Sequence, residues 1–95
     1  MNLIPQERDG RKVLFGIRPE HLEPCNESEA TLLPQIDLIE PLGADTLVYG
    51  QLEGQGARVA ARLHASMPTR MGRLPLRHRP ADAHYFDAGT GARIS

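Results

Sequence analysis

The sequence predicts a small all-β domain, either a sandwich or a small barrel, of which the five-stranded OB-like barrel is one form. Three observations lead there. Apolar and polar residues alternate in short runs, turn signals interrupt those runs about every eight to twelve residues, and no long stretch follows a helical period. The 95 residues fit one domain, and a chain of this size buries only about 60 to 70% of its unfolded surface. Its core is therefore thin, and a partner would add to its stability. Aromatic residues make up 4% of the chain, so Leu, Ile, Val and Ala must fill that core.

Residues 11–18 read as the first strand, with Val13, Phe15 and Ile17 on one face and Leu14 and Gly16 on the other. Pro19 cannot donate a ladder hydrogen bond and disfavours helix at Arg18, so the strand ends there. Residues 20–30 contain Pro24 and four acids without apolar periodicity and predict an exposed loop. In residues 31–40, Ile36 and Leu38 share one face against Leu33, Gln35, Asp37 and Ile39, and Pro34 signals an edge or a bulge. Pro41-Leu42-Gly43 stops this strand. Residues 46–52 and 57–64 form the best hairpin, separated by Glu53-Gly54-Gln55-Gly56, whose glycines permit positive φ. Its second arm points Val59, Ala61 and Leu63 inward and Arg58, Ala60, Arg62 and His64 outward. After breaks at Met67-Pro68 and Met71-Gly72, residues 73–79 read as one strand with Leu74 and Leu76 inward. Residues 81–86 read as a turn or helical piece, and residues 92–94 add a last strand after Gly89-Thr90-Gly91.

Three blocks resemble a known family. They are Gly16-Ile17-Arg18-Pro19-Glu20-His21-Leu22, then Glu40-Pro41-Leu42-Gly43-Ala44-Asp45-Thr46-Leu47-Val48-Tyr49, then His84-Tyr85-Phe86-Asp87, closed by Thr90-Gly91 and Ile94. In this order they resemble the transport-associated OB-type (TOBE) domain at the C-terminal end of the ATP-binding subunits of maltose-type ABC sugar importers. The resemblance covers residues 13–95, taken as the OB-like domain, while the N-terminal segment 1–12 matches weakly. Relatives have further strands ahead of the first block, which are expected here to be absent or degenerate. That leaves the barrel partly open, and the open edge invites pairing with a second copy.

The resemblance implies a non-catalytic regulatory and dimerisation role in the cytoplasm, at the inner face of the membrane within the transporter. Its implied partners are the nucleotide-binding domain of the same subunit, a homodimer mate, a regulatory protein and, indirectly, the membrane permease. ATP and magnesium would belong to the full-length subunit. This chain has one lysine, Lys12, with no glycine before it, and lacks a phosphate-binding loop, a Leu-Ser-Gly-Gly-Gln signature and a Walker B acid. It is expected to be a piece, or a free-standing relic, of such a subunit, and not an ATPase by itself. The positioning residues implied are Arg18, Pro19, Glu20, Glu40 and Gly43, none with a bond-making role. Arg18 and Glu20 flank a fixed turn that an ion pair, or a carboxylate accepting loop N–H groups, would pin.

Other chemistry is thinly represented. Cys25 cannot form an internal disulfide, which suits a reducing compartment. No apolar run approaches the roughly 20 residues of a membrane span, and residues 1–10 do not form a signal peptide. His21, His64, His78 and His84 never fall at ligand spacing, so no metal is expected. Residues 1–45 hold nine acids against four basic residues and residues 46–95 three against seven, which predicts an acidic and a basic face, each solvated. The basic run Arg70, Arg73, Arg77, His78 and Arg79 raises nucleic-acid binding, which the scarcity of rings for base stacking counts against. A small-anion or metabolite binder is the alternative function, weakened by the lack of a glycine- or Ser/Thr-rich nest.

Overall fold

The computed structural model describes residues 1–95 except Gln55, Pro68 and Ser95, so the predicted turn residue Gln55 and the predicted break at Pro68 lie outside it. Nine strands occur in the described chain: β1 (Asn2–Arg8), β2 (Arg11–Ile17), β3 (Glu23–Pro24), β4 (Pro34–Pro41), β5 (Asp45–Leu52), β6 (Arg58–His64), β7 (Gly72–Arg73), β8 (Leu76–Arg77) and β9 (His84–Asp87). Single 3-10 turns stand at Pro19–His21, Glu27–Glu29 and Pro80–Asp82. The strands form an antiparallel three-stranded sheet β1-β2-β9, a β3-β8 pair and a four-stranded sheet β6-β5-β4-β7. They stay open and do not close into a barrel.

The all-β prediction holds, with corrections in five places. First, a full strand precedes β2. β1 pairs with it from Asn2↔Ile17 to Arg8↔Arg11, around a two-residue turn in which Asp9 (φ 53°) and Gly10 (φ 74°) are both left-handed. Second, Leu38 faces solvent. Ile36 pairs with Gly50 but Leu38 pairs with Tyr49, leaving Asp37 as an extra residue in a β-bulge, so Ile36 is buried while Leu38 is 52% exposed. Third, residues 73–79 are two short strands in different sheets, because Pro75 interrupts the ladder between them. Fourth, His84–Asp87 is a strand on β2, and only its approach, Pro80–Asp82, is helical. Fifth, residues 20–30 are not wholly exposed. Leu22 is 2% exposed in the core, held behind the Pro19–His21 turn, which packs on β6.

The core lies between the inner faces of the sheets, built on Ile4, Phe15, Ile17, Val48, Leu63 and Leu76. Apolar burial of this kind contributes about 25 cal/mol per Å² and is the main force assembling the layers. At the seam between the sheets, the Asn2 carboxamide donates Nδ2 to the Ala60 carbonyl and accepts the Ala60 N–H at Oδ1, both at 2.8 Å. A side chain thus mimics a ladder pair and caps the free edge of β6. Residues 92–94 do add to β9, through a single bridge Phe86↔Arg93 flanked by bonds from Asp87 N to Ala92 O and from Ile94 N to Tyr85 O, each 2.7 Å.

Candidate functional site

The predicted positioning residues occupy two separate turns. Arg18 is extended (φ −74°, ψ 144°) and leads into the 3-10 turn, where Pro19 supplies a fixed φ at the first helical position. The corner is closed by backbone bonds, His21 N to Arg18 O at 3.0 Å and Leu22 N to Pro19 O at 3.4 Å. The expected Arg18–Glu20 ion pair is not made, nor does the Glu20 carboxylate accept loop N–H groups; both side chains are exposed. The turn is held by proline geometry, these backbone bonds and the buried Leu22 behind it.

Glu40 and Gly43 lie at the turn between β4 and β5. Gly43 has φ 88°, a left-handed conformation that glycine adopts without steric penalty, and the turn closes by the bond from Leu42 N to Asp45 O at 2.8 Å. Asp45 does not face Glu40. Its Oδ2 accepts Arg62 Nε at 2.7 Å across the β5–β6 ladder. The Glu40 carboxylate is exposed and has no hydrogen-bond or ion-pair partner among the described residues. No side-chain hydrogen bond joins the two turns, so they are not one site.

The charge split along the sequence folds back on itself. Arg77 takes Glu23 through Nε at 2.8 Å and Glu29 through Nη1 at 2.9 Å, and Arg73 takes Glu27. The acidic loop is thereby tied to the basic run, so two separately solvated faces do not form at these positions. Arg58 grips Asp37 through both Nη atoms, at 2.7 and 2.9 Å. Arg11 holds Asp87 at 2.7 Å, and the other oxygen of Asp87 accepts the Gly89 and Thr90 N–H groups. Arg11 first, then those two amides, lower the Asp87 pKa to about 2.

His64 and His84 lie on separate strands while His21 and His78 line one small cleft with Asp82, and among the described residues no three His, Cys, Asp or Glu side chains gather as a metal set. His21 Nδ1 is buried without a hydrogen bond, 4.0 Å from Asp82 Oδ1. His78 packs on Phe15, ring centres 5.0 Å apart, and meets Thr31 Oγ1 at 2.9 Å. Burial lowers its proton affinity, which Asp82 partly opposes. His84 sits in β9 against Arg93 at 2.9 Å, and is a strand residue where a corner was predicted. Burial raises the Cys25 pKa, against the pull of Arg77, so the thiol is a poor nucleophile at neutral pH.

Sequence reasoning missed the outer faces of the two larger sheets. On β1-β2-β9, the rows Leu3–Gly16–His84 and Pro5–Leu14–Phe86 point outward. Leu3 is 50% and Met1 54% exposed, and Leu14 and Phe86 are half-buried. Gly16 lets this layer lie close, since a Cβ there would stand 2.7 Å from Met1 Sδ and 2.9 Å from Phe86 Cε2. Alternation along residues 1–8 and the Asp9-Gly10 turn signal were the clues available. Among the described residues no helix is long and apolar enough to cross a membrane.

Comparison with known proteins gives a consistent result. Residues 15–86 match the family described as the TOBE domain. An sn-glycerol-3-phosphate import ATP-binding protein of Chromobacterium violaceum is 46% identical over 86 residues, 90% of this chain and 23% of that protein. A protein of the same description from Yersinia pestis is 40% identical over 93 residues, 96% of this chain and 25% of its own length. A sulfoquinovosyl glycerol transport ATP-binding protein of Agrobacterium fabrum is 39% identical over 86 residues, covering 90% and 24%. The chain spans about a quarter of the length of the curated relatives it matches.

Proposed function

This chain belongs to the TOBE domain family, and from that premise we propose that it is the non-catalytic regulatory and dimerisation domain of an importer's ATP-binding subunit. The parent energises uptake of a carbohydrate-class solute, in line with the sn-glycerol-3-phosphate and sulfoquinovosyl glycerol named for the relatives. Nucleotide and magnesium are bound elsewhere in that subunit, and the domain works in the cytoplasm at the membrane's inner face. Its task is to hold two subunits together while the nucleotide sites open and close, with the permease reached through the nucleotide-binding domain.

The observation that carries this reading is the outward apolar layer on β1-β2-β9. Met1 and Leu3 stand half exposed beside Leu14 and Phe86, and contiguous apolar surface of this kind marks contact with another protein. The alternative, anion binding, finds less support, because Arg11, Arg58, Arg62, Arg73 and Arg77 already hold carboxylates. Light scattering across a concentration series tests the reading. The chain should associate to a dimer, and Leu3→Glu should return it to monomer with its thermal midpoint unchanged. A monomer at every concentration, or a dimer indifferent to Leu3→Glu, would refute this face as the dimer contact.

A further inference from the structure

Two of the 3-10 turns meet at a cleft of about 90 Å³ lined by Glu20, His21, Glu23, His78, Arg79 and Asp82. They belong to different parts of the fold: Pro19–His21 follows β2 and packs on β6, whereas Pro80–Asp82 leads into β9. His21 Nδ1 is closed off from solvent without a hydrogen bond, and Asp82 Oδ1 stands 4.0 Å away. Arginines hold Asp37, Asp45 and Asp87, but among the described residues none holds Asp82. A neutral ring leaves this nitrogen unsatisfied in either tautomer, because a bare nitrogen has no donor and an N–H has its acceptor beyond hydrogen-bond range. In the imidazolium Nδ1 always donates, and an approach of about 1 Å then makes a charge-assisted bond to the carboxylate.

We propose that protonation of His21 closes this gap onto Asp82 and latches the Pro19–His21 corner to the lead-in of β9, so that the joint is firmer in acid than at neutral pH. The surrounding charges permit this. Glu20, from the same turn, favours the cation and Arg79 opposes it, while Glu23 of β3 is taken by Arg77. From β6 the inward residues are Val59, Ala61 and Leu63, which carry no charge. His78 is the rival for Asp82, but its Nδ1 meets Thr31 Oγ1 at 2.9 Å and burial lowers its proton affinity. The charged His21 ring has its carboxylate partner only in the folded chain. The latch is therefore present below the ordinary histidine range, about pH 6.5, and is lost as pH rises through it.

Amide hydrogen exchange on the intact chain at pH 8 and pH 5.5 tests this, a window kept above about pH 4, where carboxylates take up protons. The probes are the Leu22 and Ala83 N–H groups, whose bonds to Pro19 O and Pro80 O close the two turns. Their protection factors, corrected for the intrinsic pH dependence of exchange, should rise several-fold on going to pH 5.5. His21→Gln and Asp82→Asn cut the latch from opposite ends, and each should abolish the rise while matching the wild type at pH 8. His78→Gln should leave the rise in place. Protection that does not change with pH in the wild type would overturn the proposal. So would a rise that survives either His21→Gln or Asp82→Asn, or one that His78→Gln removes.

Discussion

Replacing Gly50 by alanine sets two effects of opposite sign against each other. Gly50 lies in β5 between Ile36 and Val59, buried and without a left-handed φ. On propensity alone alanine should be better, by about 0.5 to 1 kcal/mol, because glycine loses more backbone entropy in a strand. Sterics oppose this. The new Cβ would stand 2.5 Å from the Gln35 carbonyl oxygen, 2.9 Å from its carbon and 2.9 Å from Ile36 Cδ1, where comfortable contact is about 3.5 to 4.0 Å. Two of the three obstacles are backbone, so relief requires β4 to part from β5 beside the bulge. Overpacking of this kind costs about 1 to 3 kcal/mol. Because the obstacle cannot rotate away, the upper end applies, and the net loss is about 1.5 to 2.5 kcal/mol. In a domain this small each kcal/mol moves the melting midpoint by about 4 to 8 °C, so circular dichroism should record a fall of roughly 6 to 20 °C. Gly16→Ala is the control, since its Cβ would meet the flexible Met1 and Phe86 side chains, and it should lose less. A Gly50→Ala midpoint at or above wild type, or a Gly16→Ala loss exceeding it, would show the steric reasoning to be wrong.

Two further predictions concern the seam and the C-terminal turn. Asn2→Ala removes both 2.8 Å bonds to Ala60 and uncaps the β6 edge, with an expected loss of about 1 to 3 kcal/mol in urea unfolding. A change within about 0.5 kcal/mol, the range of an ordinary surface substitution, would mean the carboxamide does not join the sheets. Asp87 titrates at about 2 against an ordinary 3.8, and a depressed folded pKa means that the ionised form stabilises the fold. That contribution is fully present above about pH 4 and is lost as pH falls towards 2. Thermal midpoints of wild type and Asp87→Asn should therefore differ at neutral pH and converge between pH 4 and 2; parallel curves would count against the Arg11–Asp87 contact.

The hairpin β5–β6 was legible because every signal agreed: strict alternation in residues 57–64, and glycines where φ is positive at Gly54 and Gly56. β2 was legible for the same reason, ended as predicted before Pro19. Where signals conflicted, sequence reasoning failed in a consistent way. β1 contains Pro5 and ends in Gln6-Glu7-Arg8, a poor strand by composition. It forms because an edge strand tolerates proline and because Ile4 is completely buried, while its clearest signal lay outside it, in Asp9-Gly10. The bulge at Asp37 leaves no mark on an alternating run of residues; only the partner strand, where Gly50 and Tyr49 are consecutive, reveals that Asp37 is unpaired. The ion pairs are illegible for a related reason. Arg77 meets Glu23 and Glu29 across 54 and 48 residues, so composition counted two charged halves where folding makes neutral pairs. Local chemistry, then, fixed turns and faces, whereas the two outward apolar layers and the lone Glu40 arise from register between strands. Which side chains face outward is a property of that register, which is why the conspicuous turn motifs stand at two separate turns while the plain residues Leu3, Leu14, Leu38 and Leu47 lie on the outer faces of the sheets.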